Sequence, residues 1–227
     1  MKCVLVLAGL DPSGGAGLLA DAEAVRAAGA RPLCVATALT VQTTKRARRF
    51  EAVDVRLIEE SALALLEEED VRAVKIGMIG SEEIGDALDA LLPRALPRVV
   101  DPVLRASSGA SLLSGSPEVY LRLARDGLLT PNLPEAFELG DLGPAVLLKG
   151  GHREGETVFD TLITQQGRED FRGSRIAVRK RGTGCRLASF IAGRLALGSD
   201  VRLAPGPELR AAVLDARSFV RTYLQAP

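Results

Sequence analysis

Gly182-Thr183-Gly184-Cys185 combines two glycines, a hydroxyl and a thiol at the head of an apolar, helix-forming run over 187–197. Glycines allow a tight turn and a close approach of backbone N–H groups to a ligand. The helix that follows adds free N–H groups and the positive end of its dipole. Together these make a seat for an anion such as a phosphate. A thiol in that position is expected to have a lowered pKa and to serve as a base. The same four residues also fit a plain turn before a core helix with a buried cysteine.

Other groups of this kind recur along the chain, each after a short apolar run. Asp11-Pro12-Ser13-Gly14-Gly15-Ala16-Gly17 is a glycine-rich turn, with Asp21 one helical turn further on. It has neither the Lys-Ser/Thr of a P-loop nor the spacing of a dinucleotide fingerprint. Thr40 and Gln42 follow a second run, Gly77 and Met78 a third, Asp101 a fourth, Asn132 and Glu135 a fifth, and Lys149 a sixth. Gln42 carries a side-chain amide that donates and accepts at once. Asp101, before Pro102, and Glu135, in a first helical turn, suit helix capping. Lys149 ends an apolar run, where a charge needs a partner: a phosphate or a carboxylate.

The elements that must position these groups alternate. Strands are expected over 4–8, 32–40, 73–77, 98–100, 128–130 and 145–149. Helices are expected over 16–28, 58–68, 82–92, 117–126 and 134–139, with a polar loop from 41 to 49. Such strand–helix units build a mostly parallel sheet covered on both faces, with ligands beyond the C-terminal strand ends. Two antiparallel strands, 157–164 and 170–179, turn at Gly167. Helices over 187–197 and 208–224 close the chain. No linker or repeat divides residues 1–227, so one α/β domain is expected.

Composition sets outer limits. The chain has 227 residues, 47% of them hydrophobic, with 29 basic and 29 acidic side chains. That suits a packed core and gives no reason to expect nucleic acid or an anionic membrane as partner. Cys3, Cys34 and Cys185 are far apart and odd in number, which suits a reducing compartment. The first apolar run is too short to span a membrane, so a cytoplasmic protein is expected.

In order, Asp11–Gly17 with Asp21, Thr37-Ala38-Leu39-Thr40-Val41-Gln42, Lys75-Ile76-Gly77-Met78 and Asp101-Pro102-Val103 resemble the hydroxymethylpyrimidine/phosphomethylpyrimidine kinases of thiamine biosynthesis. Ser108-Gly109, Thr130-Pro131-Asn132-Leu133-Pro134-Glu135, Lys149-Gly150-Gly151-His152 and Gly182–Cys185 continue the match to the C-terminal region. The resemblance implies a ribokinase-like three-layer sandwich and ATP- and Mg²⁺-dependent phosphorylation of a pyrimidine alcohol and then its monophosphate. It also implies a tendency to dimerise. It assigns the substrate pocket to Gly9, Asp21, Gln42 and Met78, the anion hole to Gly182, Thr183 and Gly184, and the base to Cys185. Asp101 and Glu135 take the metal side. Thr130, Asn132 and Lys149 take the nucleotide phosphates, with His152, the single histidine, in a loop nearby.

The resemblance departs at two arginines. Arg181 and Arg186 flank the anion hole where the family has His and Thr, and they are expected either to clamp phosphate charge on the nucleotide side or to mark a site that has changed use. The stretch over 136–144 is also short for the family. A pyridoxal or pyridoxine kinase and a non-catalytic pyrimidine-binding relative therefore remain open beside the pyrimidine kinase.

Overall fold

The structure is a computed structural model, and it describes residues 1–106, 109–151, 155–178, 180–198 and 206–226. The strands are β1 (Cys3–Leu10), β2 (Arg31–Gln42), β3 (Ala47–Ala52), β4 (Val71–Ile76), β5 (Gly80–Ser81), β6 (Arg98–Val100), β7 (Leu113–Ser114), β8 (Leu128–Leu129), β9 (Val146–Leu148), β10 (Thr157–Thr164) and β11 (Gly167–Ser174). The helices are α1 (Gly17–Ala27), α2 (Val55–Glu68), α3 (Glu82–Leu91), α4 (Val119–Leu123), α5 (Leu133–Leu139), α6 (Thr183–Leu197) and α7 (Pro207–Gln225).

Nine strands form one sheet in the order β11-β10-β9-β8-β6-β4-β1-β2-β3. The six central strands from β9 to β2 run parallel; β3, β10 and β11 pair antiparallel at the two ends. The short pair β5–β7 stands apart.

Strand β1 shows how the residues dictate the layers. Val4, Val6 and Ala8 enter the core under α1, α6 and α7, while Cys3, Leu5 and Leu7 enter the core under α2, α3 and α4. Every second side chain goes to the opposite face, so a strand apolar at every position must be covered on both sides. This is the three-layer α/β architecture expected from the ribokinase-like resemblance.

Several helix starts are written in the sequence. Asp54 accepts from the Arg56 and Leu57 amides, and Ser81 accepts from the Ile84 amide. Such caps are each worth about 1 kcal/mol.

Three expectations need correction. The polar loop over 41–49 is replaced by a longer β2, a turn closed by the Thr43 amide donating to the Arg46 carbonyl, and strand β3. An edge strand exposed on both faces needs no apolar alternation, and Ala47–Ala52 has little. The helix expected over 117–126 shrinks to Val119–Leu123. The last strand of the sheet begins at Gly167, so the turn precedes that glycine.

Helices α1 and α6 lie side by side because a glycine faces an alanine. A Cβ added to Gly193 would come 2.6 Å from the Ala28 Cβ and 3.4 Å from the Val25 carbonyl oxygen. This contact fixes the register between the two helices whose N-termini carry the glycine turns. Gly193→Ala is therefore expected to destabilise the protein by about 1–3 kcal/mol despite alanine's better helix propensity. Urea unfolding measures it; a variant as stable as the parent would show that the helices slide freely.

Candidate active site

The special residues gather at the C-terminal ends of the parallel strands. Gly182, the N-cap of α6, has φ +73, a left-handed conformation that suits glycine. A Cβ there would run into the Gly15 carbonyl and approach the Ala16 Cα at 3.1 Å. The two glycine turns, some 170 residues apart in sequence, thus touch through their backbones. On the other side, a Cβ on Gly184 would stand 3.1 Å from Lys149 Nζ and within 4 Å of both Asp101 carboxylate oxygens. Residues 182–185 therefore bridge the Asp11–Gly17 turn and the Asp101–Lys149 pair.

The charged side is compact. Lys149 Nζ donates to Asp101 Oδ1 at 2.5 Å and lies 3.9 Å from Glu135 Oε2. Thr130 is fully buried, and its hydroxyl donates to Asp101 Oδ1 and to the Val100 carbonyl, both at 3.3 Å. Thr130 thus orients Asp101 rather than offering its hydroxyl outward. Asn132 and Glu135 form a capping box on α5: the Glu135 amide donates to Asn132 Oδ1 at 2.9 Å and the Asn132 amide donates to Glu135 Oε2 at 2.7 Å. The capping role open to Glu135 is realised, and it leaves the carboxylate beside Lys149.

Electrostatics separate the two acids. Burial pushes Asp101 up, but Lys149, Lys75 and the hydrogen bonds from Lys149 and Thr130 outweigh it, and the carboxyl sits below its usual range. Burial pushes Glu135 up to about 7, with Asp101 adding to the rise and Lys149 and the Asn132 bonds opposing it. Two carboxylates beside one lysine suit a hard divalent cation held with substrate phosphates and water, the way Mg²⁺ is usually bound. The same lysine suits phosphate oxygens.

On the side that the resemblance assigns to the substrate, Met78 packs against Gly9: a Cβ on Gly9 would meet Met78 Sδ at 2.8 Å. The Thr37 hydroxyl donates to the Met78 carbonyl at 2.5 Å and holds this strand end against β2. Gln42, at the end of β2, accepts from Arg181 NH2 at 2.8 Å.

Asp21 stands differently from the sequence expectation. It is fully buried, and its two oxygens take Lys75 Nζ at 2.8 and 2.9 Å, with the Ser189 hydroxyl on Oδ1 at 2.8 Å. Its oxygens are occupied by protein donors beneath the site. Burial works against charge on Lys75, but Asp21, then Cys185 and Asp101, outweigh it, so the ammonium is held firmly charged.

Cys185 also departs from expectation. Its thiol is pushed up to about 12, not lowered. Burial is the chief cause, and the Asp21 and Asp101 carboxylates add to it. Lys75 and a hydrogen bond from the Gly17 amide oppose the rise without reversing it. The helix terminus is outweighed by burial together with two nearby negative charges.

The two flanking arginines turn to the Asp11–Gly17 side. Arg186 is 4% exposed; NH1 donates to the Gly15 carbonyl at 3.1 Å, NH2 to Glu23 at 2.6 Å, and the guanidinium lies 3.9 Å from the Tyr223 ring centroid. Arg181 bonds to Gln42 and to the Thr43 carbonyl. Among the described residues neither arginine bonds to Asp101, Glu135 or Lys149; both are engaged around the Asp11–Gly17 turn and the end of β2. Ser108 and His152 lie outside the described residues.

Lys75 and Ser189 had no assigned role in the sequence reading. A signal existed for the first: a lysine inside the apolar strand Val71–Ile76 demands a buried counter-charge. Ser189, inside an apolar helix, carried none.

Comparison with known proteins agrees with this geometry. The family model described as phosphomethylpyrimidine kinase matches residues 11–144 and 141–227. The hydroxymethylpyrimidine/phosphomethylpyrimidine kinase of Escherichia coli is 34% identical, covering 83% of this chain and 80% of that protein. The thiamine biosynthesis multifunctional protein ThiED of Corynebacterium glutamicum is 32% identical over 88% of this chain, which spans only 30% of that longer protein. The crystal structure of phosphomethylpyrimidine kinase from Clostridium difficile superposes with a TM-score of 0.76 at 32% identity, covering 98% and 99% of the two chains. A pyridoxal kinase from Staphylococcus aureus in complex with pyridoxal shares the fold, with a TM-score of 0.80 at 24% identity, over 99% of this chain and 88% of its own.

Two predictions follow from the buried charges. Lys75→Met leaves Asp21 uncompensated in the interior and is expected to cost about 3–5 kcal/mol; a variant unfolding at the parent's urea midpoint would count against the pair. Alkylation of Cys185 by iodoacetamide, read by peptide mass, is expected to accelerate with pH well beyond the range of an ordinary thiol. Saturation below pH 8 would contradict the raised thiol. The match over both halves of the sequence, together with the convergence of the glycine turns on Asp101 and Lys149, makes this chain a member of the phosphomethylpyrimidine kinase family.

Proposed function

We propose that the protein transfers the γ-phosphoryl group of ATP to the hydroxymethyl oxygen of 4-amino-5-hydroxymethyl-2-methylpyrimidine, and then to the phosphate of the resulting monophosphate, in the cytoplasm. The observation that carries this reading is the placement of Gly184 between Cys185 and the Asp101–Lys149 pair. Backbone amides, a cation and a proton acceptor then face one space, the set that phosphoryl transfer needs.

The roles follow from the residues. Gly182, Thr183 and Gly184 turn backbone amides toward the transferred group, where charge builds as the bond to ADP breaks and the bond to the acceptor oxygen forms. Lys149 neutralises phosphate oxygens, with Asn132 at the adjacent strand end. Asp101 and Glu135 would hold Mg²⁺, which supplies charge neutralisation on the phosphates when bound. Met78 and Gly9 flatten the pocket against the ring, and Gln42 matches the amino group and adjacent ring nitrogen.

Cys185 accepts the hydroxyl proton only as a thiolate. Its raised pKa makes that form scarce near neutrality but strongly basic once present. The sign is clear: the thiolate fraction grows with pH, so kcat/KM for the alcohol is expected to rise across pH 6–9 without a plateau. A plateau near pH 7 would point to another base. The second acceptor is a phosphate, largely ionised above pH 6, with no proton to remove. Cys185→Ala is therefore expected to cut the first phosphorylation by about 100-fold or more and the second much less, with substrate binding retained. The assay uses the alcohol, its monophosphate and pyridoxal with ATP and Mg²⁺. Turnover of pyridoxal alone would overturn the proposal, as would pyrimidine binding without any turnover.

A further inference from the structure

We infer that Arg181 is a positioning residue that fixes the amide of Gln42 in one orientation and so makes the site select a 4-amino over a 4-oxo pyrimidine. The inference rests on the proposed substrate and goes beyond it in naming what enforces the choice.

Arg181 immediately precedes the glycine turn, yet its side chain reaches the opposite wall of the site. NH2 donates to Gln42 Oε1 at 2.8 Å, and NH1 donates to the Thr43 carbonyl at 2.6 Å. NH2 also lies 3.6 Å from Asp11 Oδ2. Asp11 is buried and holds the first glycine turn through Ser13 and the Ala16 amide. The Arg181 carbonyl accepts from the Tyr223 hydroxyl at 3.1 Å, so the last turns of α7 anchor the residue at its base. Both ends of the strap are therefore fixed.

A guanidinium only donates. The Gln42 atom facing it must be the oxygen, and the amide cannot turn over without placing N–H against N–H. Oε1 keeps a second lone pair, and Nε2 keeps its hydrogens. That fixed pair complements a ring presenting a donor amino group beside an acceptor nitrogen. A 4-oxo ring in its N–H form presents the reverse order, acceptor beside donor, and needs the amide inverted. A glutamine free to rotate would accommodate either ring. Sites that hold polar groups in one arrangement reject the wrong partner by leaving a buried group unpaired.

The test measures binding without nucleotide, by calorimetry, for 4-amino-5-hydroxymethyl-2-methylpyrimidine and its 4-oxo counterpart. The native protein is expected to prefer the amino ring. In Arg181→Met the preference is expected to fall by about tenfold, the worth of one hydrogen bond to a charged group, with tighter binding of the 4-oxo ring making up part of the change. A gain for the wrong ring is something a loosened or partly unfolded site does not produce. Arg181→Gln is the second variant, for the case in which the methionine variant does not fold: its amide both donates and accepts, so it leaves Gln42 free to invert and is expected to lose the preference too. Arg181→Lys keeps a donor-only cation and is expected to retain most of it. If the native protein prefers the amino ring and the folded variants prefer it equally, the inference is overturned and the proposed substrate stands. If the native protein binds neither ring, the proposed substrate falls and the inference with it.

Discussion

The buried pair of Lys75 and Asp21 is the constraint on which the rest of the site depends. Lys75 comes from β4, Asp21 from α1, and the Ser189 hydroxyl that completes the cluster from α6. None of the three has access to solvent. An ammonium and a carboxylate in that environment are tolerable only while they face each other with good geometry, because either one alone carries a large desolvation penalty. The sheet and the two helices bearing the glycine turns are therefore locked in one arrangement. A Cβ on Gly77 would stand 2.6 Å from Lys75 Nζ, so the strand end that leads to Met78 lies directly over the pair. The Gly77–Met78 strand end and the glycine turn of α6 share one foundation.

The same pair lies close enough to act on Cys185, with Asp21 raising its thiol and Lys75 opposing the rise. A helix N-terminus alone is worth roughly 0.3–1 kcal/mol to a nearby anion. Here the thiol sits between Asp21 and Asp101, both of which disfavour a thiolate, and burial adds its own penalty. Counting dipoles from sequence therefore gives the wrong sign, since burial and carboxylates from residues 164 and 84 positions away both oppose the thiolate. The arrangement favours the protonated thiol.

What was legible in the sequence follows the range of the interactions. The central parallel strands were readable because each is a short apolar run between turn residues, and the placement of polar groups at strand ends marked the site's rim. β3 was not readable, because its residues are polar and half exposed and only pairing with β2 makes them a strand. Met78 and Gly9 lie at strand ends as expected, and they are in contact. Asp21, Thr130 and Arg186 show the limit: residue type and position were right for a site, but their partners come from distant segments, and those partners turn each side chain inward or sideways. Only the fold reveals that Thr130 serves Asp101 and that Arg186 serves the Gly15 turn.

The arginines carry the argument one step further. Arg181 bonds to Gln42 and the Thr43 carbonyl, and Arg186 to the Gly15 carbonyl and Glu23, with the buried Arg186 Nε left without a hydrogen-bond partner. Arg186 is stacked on Tyr223 and tied to Glu23 at the surface of α1. Arg181 is held at its carbonyl by the same tyrosine. One aromatic side chain on α7 thus braces both residues that flank the glycine turn. Burying a guanidinium against a ring face adds cation–π attraction to packing. The glycine turn of this chain is supported from the C-terminal helix, and the residue that precedes it carries a donor across to Gln42 at the end of β2.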